Sequence, residues 1–263
     1  MFNFNILQRL GLRSYPNYDK ILQIEVSRVC NLKCKHCNRT FEYGLINTEI
    51  FENLIDTHKG MVDIAKLQGL GEPFLHPNIY QYANYASKNE YYVMTITNGT
   101  IPITNPEVFD KIMFSIDTLS YDSYKNMRGG NLDAVINNLV RCIELGSTDI
   151  EINCVQTKYN SIQEIEDLKM FCKRNDIALN VVPCEVWVDP LHKDYINLKK
   201  DALEGHENHH VTIIPDRKNY CKWGKTSFYY DYLGRSHPCC IRMTDDYIID
   251  ERDLDGCCTR CPI

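Results

Sequence analysis

With 263 residues, 44% of them hydrophobic and 24% charged, the chain has the composition of a folded protein, long enough for one sizeable α/β domain and a small appendage. A formal net charge of −6 and the lack of any long Lys/Arg run argue against direct binding of a nucleic-acid polymer. No stretch approaches the roughly 20 apolar residues of a membrane helix, and MFNFNILQRLGLRSY lacks a signal peptide's apolar segment and cleavage site, so no membrane partner and a cytoplasmic location are expected.

Residues 1–20 read as a lead-in. Six runs of β character follow: LQIEVS (22–27), AKLQGL (65–70), YVMTITN (92–98), KIMFSID (111–117), IEINCV (150–155) and LNVVPCEV (179–186). Between them lie amphipathic helical patterns over 48–58, opened by Thr48, and 77–89, led by Pro77. Two more cover 131–145, opened by Asn131 and ended by Gly146, and 161–175, opened by Ser161. Repeating βα units predict a parallel sheet covered on both faces. Six such units, over 21–187, would close only part of a barrel, with an open side and the chemistry at the C-terminal strand ends.

The stretch 188–219, rich in Asp, His, Lys and Asn, breaks the alternation and reads as a linker or lid. Its His192, His206, His209 and His210, with Glu204 and Glu207, show no clear ligand spacing and read as solvated loop. Residues 220–263 are hairpin material, SFYYDYLGRSHPCC turning at Gly234, followed by an acidic stretch and GCCTRCPI. Too little apolar sequence remains there for an independent core, so a metal centre is expected to stabilise it.

Thirteen cysteines in a chain with no secretion signal point to metal or catalysis before disulfides. Cys30, Cys34 and Cys37 follow the first strand in one loop, where three thiolates can hold an iron–sulfur cluster and leave one iron open to an outside ligand. Structural zinc is the alternative, although it normally takes a fourth ligand. Cys221, Cys239, Cys240, Cys257, Cys258 and Cys261 can furnish a complete four-thiolate site, for which a zinc ribbon is the alternative. Cys142, Cys154, Cys172 and Cys184 fall singly in helix or strand patterns and read as core.

CNLKCKHC (30–37) resembles the CxxxCxxC loop of the radical S-adenosylmethionine (SAM) superfamily, which follows the first strand of a partial (β/α)6 barrel. The resemblance implies a [4Fe–4S] cluster on Cys30, Cys34 and Cys37, whose open iron is chelated by the SAM amino and carboxylate groups. Reductive cleavage of SAM then gives methionine and a 5′-deoxyadenosyl radical that abstracts hydrogen from substrate. It places His36 near the adenine. Gly71, Glu72 and Pro73 of GLGEP resemble the family's GGEP motif, which receives the SAM ammonium group, with Leu70 in place of the first glycine. The logic is physical as well: glycine permits close backbone approach, and a carboxylate accepts from a cation. Asn98 of TNG, with Ser115 and Asp117 of SID, would line the methionyl and ribose groups. Arg128 of MRGGN would pair with the SAM carboxylate, which suits a guanidinium fork, and Asn160 of CVQTKYN would border the adenine.

The C-terminal cysteines resemble the Twitch extension, the short form of SPASM. This implies an auxiliary [4Fe–4S] cluster on Cys221, Cys239, Cys258 and Cys261, with Cys240 and Cys257 as neighbours. A flavodoxin- or ferredoxin-type electron donor is implied as well. The expected reaction is hydrogen abstraction from a small molecule, nucleoside or peptide, with oxidation through the auxiliary cluster. A redox-neutral rearrangement or peptide cross-link is the alternative within catalysis, and a non-catalytic iron–sulfur electron carrier or zinc scaffold the alternative outside it.

Overall fold

Ile21–Ile24 forms β1, an apolar strand whose two neighbours both run parallel to it, β2 (Ile64–Leu67) on one side and β7 (Phe228–Tyr230) on the other. The computed structural model describes residues 20–37, 43–146, 148–183 and 227–237. Beyond β2 the sheet continues in parallel through β3 (Tyr92–Thr97), β4 (Lys111–Ser115), β5 (Asp149–Gln156) and β6 (Ala178–Pro183). A short antiparallel strand, β8 (Ser236–His237), closes the far edge, giving the order β6-β5-β4-β3-β2-β1-β7-β8. All six predicted strands are present within a few residues of their expected bounds. The hairpin expected at the start of a separate C-terminal unit instead adds its first strand to the barrel sheet. There it satisfies the edge of β1: Glu25 N donates to Tyr230 O at 2.9 Å and Ile21 N to Ser227 Oγ at 3.2 Å.

The described helices are α1 (Thr48–Thr57), α2 (Ile79–Lys88), α3 (Tyr121–Arg128), α4 (Leu132–Leu145) and α5 (Ile162–Arg174). Asn131 and Ser161 cap α4 and α5 as expected, the latter in a reciprocal capping box with Glu164, and Gly146 ends α4 in the left-handed conformation at φ +65°. The cap of α1 is Asn47 rather than Thr48: its side chain accepts from Glu49 N at 2.8 Å, and Thr48 is the first helical residue. Helix α3 was not anticipated, because YDSYKNMR has few apolar positions. Ser120 caps it, and Tyr124 and Met127 are its buried anchors.

Strand alternation separates two apolar clusters. One face carries Leu22, Ile24, Leu67, Val93, Ile112, Phe114 and Ile152 into the main core beneath the helices, which also takes in Cys142, Cys154 and Cys172. The other face carries Ile64, Tyr92, Met94 and Met113, an apolar floor near the strand starts. On that same face, toward the strand ends, stand the polar residues Gln68, Ser115 and Asn153, whereas Lys111, the first residue of β4, pairs with Glu151 at 2.6 Å nearer the strand starts. The inner surface therefore turns from apolar to polar toward the C-terminal strand ends, the end at which a barrel builds its site.

Candidate functional site

Past β1 the chain enters the cysteine loop through a buried ion pair. Glu25 and Arg28, both 0% exposed, are joined at 2.8 Å and 3.0 Å, and the second carboxylate oxygen accepts from Leu70 N at 2.7 Å. The Arg28 guanidinium lies 4.9 Å from the ring centroid of Tyr232 on the β7–β8 hairpin. Burial pushes the Glu25 carboxyl up, and its bonds to Arg28 oppose that shift. These residues escaped sequence reasoning; a charged pair at i and i+3 flanking an apolar strand end was the available signal.

The loop after β2 closes on this one. Glu72 N donates to Val29 O at 2.8 Å, and a Cβ at Gly71 would lie 2.3 Å from Ser27 O and 2.6 Å from Val29 O. Only glycine lets the two backbones meet here. Cys30 and Cys34 are half-buried and Cys37 is exposed. Leu32 N at 3.5 Å and Asn98 Nδ2 at 3.7 Å point to Cys30 Sγ. Lys35 N donates to Met127 O at 2.9 Å, which ties the loop to α3. Burial pushes the Cys34 thiol up to about 11, with Cys37 and Cys30 adding to the shift and Arg128 opposing it. Among the described residues, no group of three or more His, Cys, Asp or Glu side chains is arranged to hold a single metal ion.

Several residues expected at the SAM site are committed to protein partners. Glu72 is 1% exposed and accepts from Phe74 N (3.1 Å), Thr97 Oγ1 (2.8 Å) and Asn98 N (2.7 Å), fixing the turn that Pro73 begins. Asn98 accepts from Thr100 N, and its amide nitrogen reaches Asn31 Oδ1 as well as Cys30 Sγ, so it braces the cysteine loop. Asp117, 0% exposed, holds Arg128 Nε at 2.6 Å and accepts from Val155 N at 2.8 Å. Asn160, 1% exposed, accepts from Thr157 N and donates to Asp117 O and Val155 O, joining the ends of β4 and β5.

Three other expected residues keep unsatisfied polar atoms. The Arg128 terminal nitrogens and the half-buried Ser115 hydroxyl have no partner among the described residues, and His36 Nδ1 is a buried atom without one. Burial, with Arg128 nearby, holds the His36 imidazole below its usual range, so it is neutral at pH 7.

Burial also raises the Glu72 carboxyl to about 7, against the donors from Asn98, Thr97 and Phe74 that lower it. In the unfolded chain it ionises near the ordinary glutamate value of 4.5. Between these values the native state binds more protons than the unfolded one, so stability should fall by ~1–3 kcal/mol as pH rises from about 4.5 to 7 and then level off. Urea unfolding of wild type and Glu72→Gln across this range checks it: the variant should lack this part of the slope.

A family model described as the Radical SAM superfamily matches residues 24–172, more than half of the chain. The chain belongs to the radical SAM superfamily. Membership makes it an enzyme that uses SAM and a [4Fe–4S] cluster, and its parallel sheet is the partial barrel of that superfamily. The residues present fit these groups: three thiols on one loop, and beside them a fixed arginine with unpartnered donors and an orphaned imidazole nitrogen. Among similar proteins, a probable GTP 3′,8-cyclase of Methanococcus aeolicus is 24% identical over 285 residues, covering 92% of this chain and 94% of its own length. A GTP 3′,8-cyclase of Alkaliphilus oremlandii is 26% identical over 168 residues, covering 58% of this chain and 52% of its own. Among solved structures, Streptococcus suis SuiB bound to its precursor peptide SuiA superposes with a TM-score of 0.66 at 18% identity, covering 98% of this chain and 68% of SuiB. The protein anSMEcpe with bound AdoMet superposes with a TM-score of 0.61 at 18% identity, covering 89% of this chain and 79% of its own. Among the described residues no helix is long and apolar enough to cross a membrane. Cys221, Cys239, Cys240, Cys257, Cys258 and Cys261, together with the 188–219 segment, lie outside the described residues.

Proposed function

We propose that Cys30, Cys34 and Cys37 hold the [4Fe–4S] cluster, that Arg128 receives the SAM carboxylate, and that the chain abstracts a hydrogen atom from a polar small molecule, nucleoside or peptide. The observation that carries this reading is the Asp117–Arg128 pair: a buried guanidinium is fixed through Nε beside the cysteine loop, and its terminal donors are left for an anion. When bound, cluster and SAM together supply a 5′-deoxyadenosyl radical at the cost of one electron, drawn from a flavodoxin- or ferredoxin-type donor. Around them His36 and Ser115 offer polar contacts, while Gly71, Glu72, Asn98, Asp117 and Asn160 set the loops in place. The polar face at the strand ends, with Gln68, Ser115 and Asn153, suits a polar substrate.

In this reading Cys221, Cys239, Cys258 and Cys261 would hold an auxiliary Twitch-type cluster, which would supply an acceptor for the one electron left when the substrate has given up a hydrogen atom and a proton. A second reading is a redox-neutral rearrangement of a nucleotide, favoured by the near full-length similarity to a probable GTP 3′,8-cyclase. The test common to both is anaerobic reconstitution with iron and sulfide, then dithionite and SAM: 5′-deoxyadenosine should accumulate, and its absence from a fully loaded protein would overturn the proposal. Adding GTP separates the two. A product of unchanged mass favours rearrangement, and unconsumed GTP favours the oxidative reading with another substrate.

A further inference from the structure

Three buried side-chain polar atoms lack a hydrogen-bond partner among the described residues: His36 Nδ1, Gln68 Oε1 and the Tyr124 hydroxyl. All three belong to segments that follow a strand's C-terminal end. An unpartnered buried polar atom is rare and costs stability, so a group of them on one rim points to a bound partner. Tyr124 is the most informative, because the proposed function assigns it nothing. It is 1% exposed and stands one turn before Arg128 on α3, on the same helix face. Its ring lies against Gly130, where a Cβ would come within 3.3 Å of Tyr124 Cε1 and 3.1 Å of Leu32 in the cysteine loop. Arg128, Cys34, Asp117 and Glu72 all act electrostatically on its hydroxyl. Burial pushes that hydroxyl up to about 12, so at neutral pH it is a hydrogen-bond donor.

Two neighbouring donors, the Tyr124 hydroxyl and the Arg128 terminal nitrogens, thus have no protein acceptor among the described residues. We propose that Tyr124 is a SAM-binding residue, its hydroxyl donating to the same carboxylate that the Arg128 guanidinium receives. This rests on the assignment of Arg128 to the SAM carboxylate. A tyrosine paired with an arginine would fix the carboxylate from two directions and so set the orientation of the amino-acid end of SAM.

The test is Tyr124→Phe, which keeps the ring and its packing and removes only the hydroxyl. Cluster-reconstituted wild type and variant are compared by anaerobic equilibrium dialysis with SAM, alongside their iron content and the unfolding temperature of the SAM-free protein. Iron content should be equal, the SAM dissociation constant should rise about ten- to a hundredfold, and the unfolding temperature should not fall. Unchanged SAM affinity at equal iron overturns the assignment, as does a lowered unfolding temperature, which would reveal an internal partner for the hydroxyl. A fully loaded wild type that binds no SAM would overturn the proposed function itself, and this assignment with it.

Discussion

Replacing Asp117 with alanine should lower stability by about 3–5 kcal/mol, read as a lower urea midpoint, because it leaves the Arg128 charge buried without its counter-ion. The pair is enclosed, with the arginine side chain 7% exposed and the aspartate 0%, so solvent screening offers little relief. The same change removes the acceptor of Val155 N and loosens the join between β4 and β5. A double variant, Asp117→Ala with Arg128→Met, should recover much of the stability by removing the stranded charge, yet should bind SAM no better than the single one. This separation matters, since a purely structural ion pair would give back function together with stability. A single variant within about 1 kcal/mol of wild type would show the pair to be less enclosed than its burial implies.

Changing Cys34 to alanine should reduce 5′-deoxyadenosine formation to background and lower the bound iron, since two thiolates remain where three are required. Burial pushes the Cys34 thiol up to about 11, so its proton must leave on metal binding, and Arg128 is the neighbouring positive charge that favours the thiolate. Changing Cys258 to alanine should spare SAM cleavage uncoupled from substrate. If both variants lost 5′-deoxyadenosine equally, the division of labour between the two cysteine groups would be wrong.

The strands were legible because parallel strands covered on both faces are short, nearly continuous apolar runs such as 92–97 and 111–115. Asn131, Gly146 and Ser161 could be read because capping is local chemistry. Helix α3 was missed although Ser120 and Gly129 cap it locally, because YDSYKNMR shows too few apolar positions for a helical period. The C-terminal hairpin was read from its turn at Gly234, but the pairing of its first strand with β1 was not: Phe228–Tyr230 and β1 are some two hundred residues apart, and no local pattern announces their pairing. The motifs pointed to loops that the fold gathers near the cysteine loop, but they did not separate residues with free polar atoms from residues that hold the loop. Glu72, Asn98, Asp117 and Asn160 look alike in sequence to a ligand-facing side chain, and their hydrogen bonds show them engaged with the protein. Tyr124 had no sequence signal beyond its spacing from Arg128.

The most direct measurement is the EPR spectrum of dithionite-reduced Cys258→Ala protein, recorded with and without SAM. Removing that cysteine is expected to eliminate the auxiliary signal and leave the cluster on Cys30, Cys34 and Cys37. SAM should shift the g values of the remaining signal, because a cluster held by three thiolates would leave one iron open to it. A fully loaded cluster whose spectrum is the same at saturating SAM would contradict this expectation.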